Sequence, residues 1–202
     1  MLINIVARDP DLRVIQKIIK ILNSDGLIVI PTDTIYAFAT SIKSKKGLER
    51  LTKIKKIKQK NAKFSLICRD LKDISTYTKP LDRKTFKTLK NALPGPFTFI
   101  LNASNNISKI FNSNKKEIGI RIPDHNFIKT LIKELNHPLI CSSVNDKDEI
   151  VKYTTDPLVI FENHENHVDA VIDYGYGKNV ASTIVDCTSE DLILVRQGAG
   201  VL

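Results

Sequence analysis

The chain has 202 residues, 42% of them apolar, and a formal net charge of +9 from 31 basic and 22 acidic side chains. That is enough apolar material for a full core, yet no stretch is apolar for long enough to cross a bilayer, and the first residues lack the basic start and long apolar run of a signal peptide; a cytoplasmic protein with no membrane partner is predicted. Cys68, Cys141 and Cys187 stand far apart inside apolar runs, which predicts buried free thiols rather than disulfides or a zinc site.

In chain order, Asp9-Pro10 reads as an N-cap with proline at the first helical position, after which Leu12, Ile15, Ile18, Ile19 and Leu22 recur at helical spacing up to Gly26. The run that follows, to Ile30, reads as a buried strand closed by Pro31-Thr32-Asp33-Thr34. Lys45 to about Lys56 is the second predicted helix, with Leu48, Leu51 and Ile54 inward and lysines at the C-terminal end, as the helix dipole favours. Phe64 to Cys68 reads as a strand, Asp70 to Thr78 and Asp82 to Leu93 as short helices. Leu93-Pro94-Gly95-Pro96 is a rigid turn before the strand Phe97 to Leu101, whose Phe97, Phe99 and Leu101 share a face. Further strands are read at Glu117 to Ile122, Pro138 to Val144, Ala170 to Tyr174, Thr183 to Cys187 and Ile193 to Arg196, with helices at Phe127 to Leu135 and from Asp156 to about Asn163. With no linker, repeat or low-complexity run, one α/β (α+β) domain over residues 1–202 is predicted, a twisted mixed sheet with flanking helices.

The positive charge is concentrated. Between Lys43 and Lys63 stand nine lysines and Arg50 against one acid, Glu49. Such a patch attracts polyphosphate or nucleic acid, and a solvated helix face is the alternative. Three buried runs end in clustered hydroxyls, at Pro31-Thr32-Asp33-Thr34, Cys141-Ser142-Ser143-Val144-Asn145 and Ala181-Ser182-Thr183. These groups suit phosphate or carboxylate oxygens, and strand ends are where an α/β sheet presents them; for the first cluster, helix capping and a local turn bond are the alternative. Arg121 and Arg196 each interrupt an apolar strand and so need an anion alongside, either a ligand or an aspartate such as Asp124 or Asp186. His164 and His167 lie in a polar segment that reads as a surface loop, and His125 reads as a helix-start residue. Neither a glycine-rich nucleotide cradle nor a Ser/His/Asp arrangement is legible.

The series Pro31-Thr32-Asp33-Thr34-Ile35-Tyr36, Leu93-Pro94-Gly95-Pro96-Phe97-Thr98, Gly119-Ile120-Arg121-Ile122-Pro123, Ser142-Ser143-Val144-Asn145, Ser182-Thr183-Ile184-Val185-Asp186 and Val195-Arg196-Gln197-Gly198 resembles the YrdC-like family of threonylcarbamoyl-AMP synthases, in its single-domain form. Phe64 to Leu71 and Phe97 to Leu101 resemble the YciO-type branch of that family. The resemblance implies a concave, positively charged face and a nucleotidyltransferase that joins L-threonine, bicarbonate and ATP into threonylcarbamoyl-AMP and pyrophosphate, for the t6A modification of tRNA. It implies Mg2+ with the ATP, held mainly by substrate phosphates, and RNA or tRNA and other t6A-pathway proteins as partners. By the same resemblance Thr34 and Ser142 would contact threonine, Arg121 would hold its carboxylate, and Tyr36 would shape the pocket floor. Lys56 and Lys58 would act catalytically at the phosphates of ATP, Ser143 and Asn145 would form the family's Ser-x-Asn motif, and Ser182 and Arg196 would lie on the nucleotide.

Three positions depart from the family pattern. Lys58 stands where arginine is usual, which gives up the bidentate fork. Ala37 stands where glycine usually follows the tyrosine, and Asp146-Lys147-Asp148-Glu149 replaces Ser-Gly, removing a hydroxyl and adding charge that repels phosphate. They leave a second expectation beside the enzyme: an RNA-binding or ribosome-associated module of the same fold without the catalysis.

Overall fold

The computed structural model describes residues 1–5, 10–145 and 153–202. Its strands are β1 (Leu2–Asn4), β2 (Leu27–Ile30), β3 (Ala37–Ser41), β4 (Ser65–Ile67), β5 (Phe97–Asn102), β6 (Glu117–Arg121), β7 (Leu139–Ser143), β8 (Ala170–Asp173), β9 (Thr183–Asp186) and β10 (Ile193–Arg196). They form one sheet in the order β1-β8-β2-β3-β7-β4-β6-β5-β9-β10. The sheet is mixed, as predicted: β8 lies parallel to β1 and β2, β4 to β6 and β5 to β9, and the remaining neighbours run antiparallel.

Each face of the sheet carries its own core. Helices α2 (Lys45–Ile54), α3 (Leu71–Tyr77), α4 (Arg83–Ala92), α5 (Asn105–Ile110) and α7 (Pro157–His164) send Leu48, Leu51, Ile74, Leu89, Ile107 and Ile160 onto one face, against Phe38, Leu66, Phe99 and Ile120. Among the described residues, only α1 (Leu12–Asn23) and α6 (Asn126–Leu135) cover the other, where Ile15, Ile18, Leu22, Phe127, Leu131 and Leu135 meet Ile28, Ile30, Ala39, Ile67, Leu139 and Cys141. Ten strands spaced by about 4.8 Å span about 43 Å, whereas two packed helices cover about 20 Å. The same face of β5, β6, β9 and β10 is therefore left open. Burial shows it residue by residue: Phe99, Leu101, Ile118, Ile120 and Val185 are at most 1% exposed, while Ile100, Gly119 and Ile184, out of phase with them, are partly open to solvent.

The predicted elements recur with small shifts, and three additions appear: β1, β3 and α5. The sequence Ala-Phe-Ala-Thr-Ser of β3 is poor in β-branched residues, but burial of all five positions between β2 and β7 overrides that weak propensity. Helix α1 starts after Asp11, whose carboxylate accepts from the Arg13 amide at 2.8 Å, rather than after Asp9, which lies outside the described residues. At its other end the left-handed residue is Asp25 (φ 62°), and Gly26 follows it with its amide donating to the Ile21 carbonyl at 2.9 Å. A Cβ at Gly26 would lie 2.4 Å from that carbonyl oxygen, which is why glycine stands there.

All three thiols are buried and unbridged, as predicted. Burial raises each above the ordinary thiol range, Cys141 and Cys187 to about 11. The folded protein is expected to show no reaction with an aromatic disulfide reagent at pH 8 until denaturant is added; rapid labelling of the native protein would contradict this burial.

Candidate functional site

The loop after β2 is held by its own side chains. Pro31 ends the strand, and the Thr32 hydroxyl then donates to the Ile35 carbonyl at 2.7 Å and accepts from the Thr34 amide at 3.1 Å, a short turn that fixes Asp33 and Thr34. Arg121, the last residue of β6, reaches both: its Nη2 donates to Asp33 Oδ1 at 3.0 Å and to Thr34 Oγ1 at 2.9 Å. The other Asp33 oxygen accepts from the Asp124 amide at 3.2 Å. Arg121 is 5% exposed and Asp33 9%, so this is a buried ion pair. The partner is thus Asp33 and neither of the aspartates considered from sequence: Asp124 pairs with Lys129 at the surface, and Asp186 holds Thr188. Arg121 Nε is buried with no protein partner among the described residues. A guanidinium with an unused buried donor is suited to a further anion.

The tip of β7 closes on the same loop. Ser143 pairs with Ala37, and the Val144 amide donates to the Tyr36 carbonyl at 3.0 Å. Lys55, the residue that ends α2, donates from Nζ to the Ser143 carbonyl at 3.0 Å, and its burial lowers its pKa from the usual lysine value. Lys56 and Lys58, expected here from sequence, are not in this cluster. Lys56 takes a left-handed backbone (φ 51°) and lines a hollow between α2 and the end of α7, and Lys58 is exposed before the short 3₁₀ turn Gln59–Asn61. Ser142, expected beside Thr34 and Arg121, is opposite Phe38 and faces the α2 side, because adjacent strand residues point to opposite faces. Ser143 shares the face of Cys141 and Gly119. Ala37 is 2% exposed and packs in the core beneath α1 and α6, so its methyl is absorbed by packing. Asn145 is exposed just past β7; the Asp146 to Glu149 departure lies outside the described residues.

Across the open face stands a second wall. Arg196 on β10 donates from Nε and Nη2 to the Ser182 carbonyl at 3.1 and 2.7 Å, and the Ser182 and Thr98 hydroxyls lie 2.8 Å apart. Thr98, Ile184 and Arg196 follow one another in register across β5, β9 and β10. Between this wall and β6 is a hollow of about 200 Å³ lined by Lys63, Ser65, Thr98, Gly119, Ile184 and Val195. Neither Arg121 nor Arg196 lines it; their strands, β6 and β10, stand three spacings apart, about 14 Å. Sequence reasoning missed Asp33 as the arginine's partner, Lys55, Thr98 and the open floor at Gly119.

Tyr36 is 1% exposed, and its hydroxyl donates to the Gly175 carbonyl at 2.7 Å. Burial raises its pKa to about 12. It borders a separate hollow of about 250 Å³ with Asp33, Asp124, His125, Tyr174 and Lys178. His125 is the N-cap residue of α6, as predicted, its ring edge-on to Tyr174 at 4.7 Å; burial lowers its pKa, as it does for His137. A histidine depressed in the folded state stays neutral while the unfolded chain takes up the proton. The stability it preserves is complete above about pH 6.5 and is lost as pH falls below that. Thermal unfolding is expected at lower temperature at pH 5.5 than at pH 7.5, with a smaller difference in His125→Gln; an unchanged pH slope in that variant would remove His125 as a cause. His164 is no loop residue: it ends α7 and packs edge-on to Phe38 at 5.0 Å, while His167 is exposed.

Among the described residues no helix is long and apolar enough to cross a membrane, and no group of three His, Cys, Asp or Glu side chains is placed to hold a metal ion.

The family model for Sua5, YciO and YrdC proteins, described as "Telomere recombination", matches residues 20–198. The Escherichia coli K12 protein named "Uncharacterized protein YciO" is 32% identical over 194 residues, 95% of this chain and 92% of that protein. The crystal structure of E. coli YciO superposes with a TM-score of 0.89 at 30% identity, covering 100% of this chain and 97% of that one. A protein of Coxiella burnetii named "Threonylcarbamoyl-AMP synthase" is 30% identical over 135 residues, 67% of this chain and 72% of its own. P. abyssi Sua5, in a crystal structure described as complexed with L-threonine, shares the fold at a TM-score of 0.87 and 20% identity, over 98% of this chain and 57% of that one.

Proposed function

We propose, for a chain that belongs to the Sua5/YciO/YrdC family, that it is an L-threonylcarbamoyladenylate synthase, making threonylcarbamoyl-AMP and pyrophosphate from L-threonine, bicarbonate and ATP. The observation that carries this reading is Arg121: a buried guanidinium, steered by Asp33 and Thr34, with Nε left over for the carboxylate of a small amino acid. The relative named as a synthase and the threonine complex of P. abyssi Sua5 support it.

In this reading the threonine carboxylate docks on Arg121 and its side chain or amine meets Thr34. The amine forms a C–N bond to activated bicarbonate, losing a proton as hydroxide leaves the carbon. A carbamate oxygen then attacks the α-phosphorus of ATP, and the bond to the β-phosphate oxygen breaks to release pyrophosphate. Charge gathers on the phosphates, where preplaced cations and donors lower the barrier. Lys55, half-buried at the tip of β7, takes the catalytic place that sequence assigned to Lys56. Ser143 and Asn145 complete that end, and Ser182, Thr98 and Arg196 line the nucleotide. Both Asp33 oxygens are engaged, so Mg2+ entering with ATP would be held by the phosphates themselves. RNA, tRNA and t6A-pathway proteins as partners follow from the same reading.

The test is pyrophosphate release from ATP with and without threonine and bicarbonate. Release that needs both, slowed in Lys55→Met and not in Lys56→Met, is the expected result. Release indifferent to threonine, or none from folded protein, would remove the synthase reading.

A further inference from the structure

Lys53 and Lys56 of the lysine-rich stretch and the two histidines of the Glu162 to His167 segment play no part in the site above, yet the fold brings them together. Between α2 and the turn that follows α7 is a hollow of about 600 Å³, on the sheet face opposite Gly119 and Arg121. Arg50, Lys53 and Lys56 border it from α2 and its end, and Asn163, Asn166 and His167 from the other side. Arg50 is fixed in place: Nη1 donates to Asp169 at 2.6 Å and Nη2 to the His167 carbonyl at 3.1 Å. Neither Lys53 nor Lys56 pairs with a carboxylate among the described residues, and no described residue lining the hollow is acidic.

The end of α2 fixes the backbone of Lys56 at the rim of the hollow. Helix α2 ends in two reversed bonds, the Lys56 amide to the Lys53 carbonyl at 3.0 Å and the Ile57 amide to the Thr52 carbonyl at 3.1 Å, and the residue between must be left-handed. Glycine adopts that backbone without strain. Here a lysine holds the position and borders the hollow.

We propose that this hollow binds polyphosphate groups, the inorganic anion or the phosphate chain of a nucleotide, at a site separate from the open face. Two unpaired ammonium groups, an anchored guanidinium and neutral amide donors match an anion with several oxygens and more than one charge.

The four histidines of the chain give a direct readout, since His164 and His167 border the hollow and His125 and His137 do not. Titration of the whole protein with inorganic tripolyphosphate at low ionic strength, followed by the imidazole Cε1–H signals, is expected to move His164 and His167. Pairing Lys53→Ala with Lys56→Gly should weaken that response about tenfold, with no loss of thermal stability because the glycine relieves the left-handed turn. In Gly119→Val, which fills the hollow on the open face, the His164 and His167 response should persist. That arm separates this proposal from the synthase reading. A response that survives the lysine pair, or that follows Gly119→Val, overturns the assignment. So does a pair of signals moved by an RNA oligonucleotide and unmoved by tripolyphosphate.

Discussion

Arg121→Ala is expected to lower stability by about 3–5 kcal/mol and to reduce threonine-dependent pyrophosphate release at least about a thousandfold. The first effect follows from what is left behind. Asp33 is buried, and without the guanidinium its carboxylate keeps only the Asp124 amide. In the synthase reading, the second follows from the loss of a buried cation for the amino acid's carboxylate. Chemical denaturation and the pyrophosphate assay read the two separately. A double variant, Asp33→Leu with Arg121→Met, removes both charges together and should recover most of the stability while recovering none of the activity. If the double variant regained activity with stability, the pair would be structural and the amino acid would have to bind elsewhere. If Arg121→Ala left stability unchanged, the burial described for Asp33 would be wrong.

Gly119→Val is expected to keep the fold and lose the nucleotide. A Cβ at Gly119 would lie 2.4 Å from Ser65 Oγ, 3.2 Å from Ser65 Cβ and 3.3 Å from Thr98 Cγ2. The closest of these is the end of a small side chain that can rotate away, and Ser65 Cβ and Thr98 Cγ2 must each give by a few tenths of an ångström. Valine's further carbons then occupy the floor of the 200 Å³ hollow between Ser65 and Thr98. Because valine suits a strand better than glycine, stability should stay within about 1 kcal/mol of the parent. Misplacing a bound substrate by about 1 Å costs about a hundredfold in rate, so a loss of at least that size is expected. Threonine binding, measured by calorimetry without ATP, should be untouched. Full activity in a folded Gly119→Val protein would move the nucleotide off the open face.

Elements with a strong period were legible in the sequence, because α1, α2 and α6 bury one stripe each and the stripe is written in their leucines and isoleucines. What escaped is set by geometry that spacing does not encode. Lys55 and Lys56 are neighbours at the end of α2, but Lys55 reaches the β7 tip while Lys56, in a left-handed backbone, borders the hollow beside the end of α7. Ser142 and Ser143 are separated by strand alternation, which becomes usable only once the register with β3 is known. Asp33 is a turn residue in sequence and an ion-pair partner in space, because the Thr32 turn points it at a strand 88 residues further on. The hydroxyl clusters themselves were readable, and two of the three, at Thr34 and Ser182, lie beside the embedded arginines.

The interleaving of β8 between β1 and β2 governs how the chain can mature during synthesis. The Leu27 amide donates to Asp169 across 142 residues, and β2 completes its parallel ladder only with Ala170 and Val171. A nascent chain leaving the ribosome exposes the bare edge of β2, and the apolar residues beside it, until β8 (Ala170–Asp173) of the 202-residue chain has emerged. Contacts of such separation make folding slow and leave early intermediates prone to association. Chaperone demand in the cell should therefore track the late arrival of β8 more closely than the stability of the finished protein.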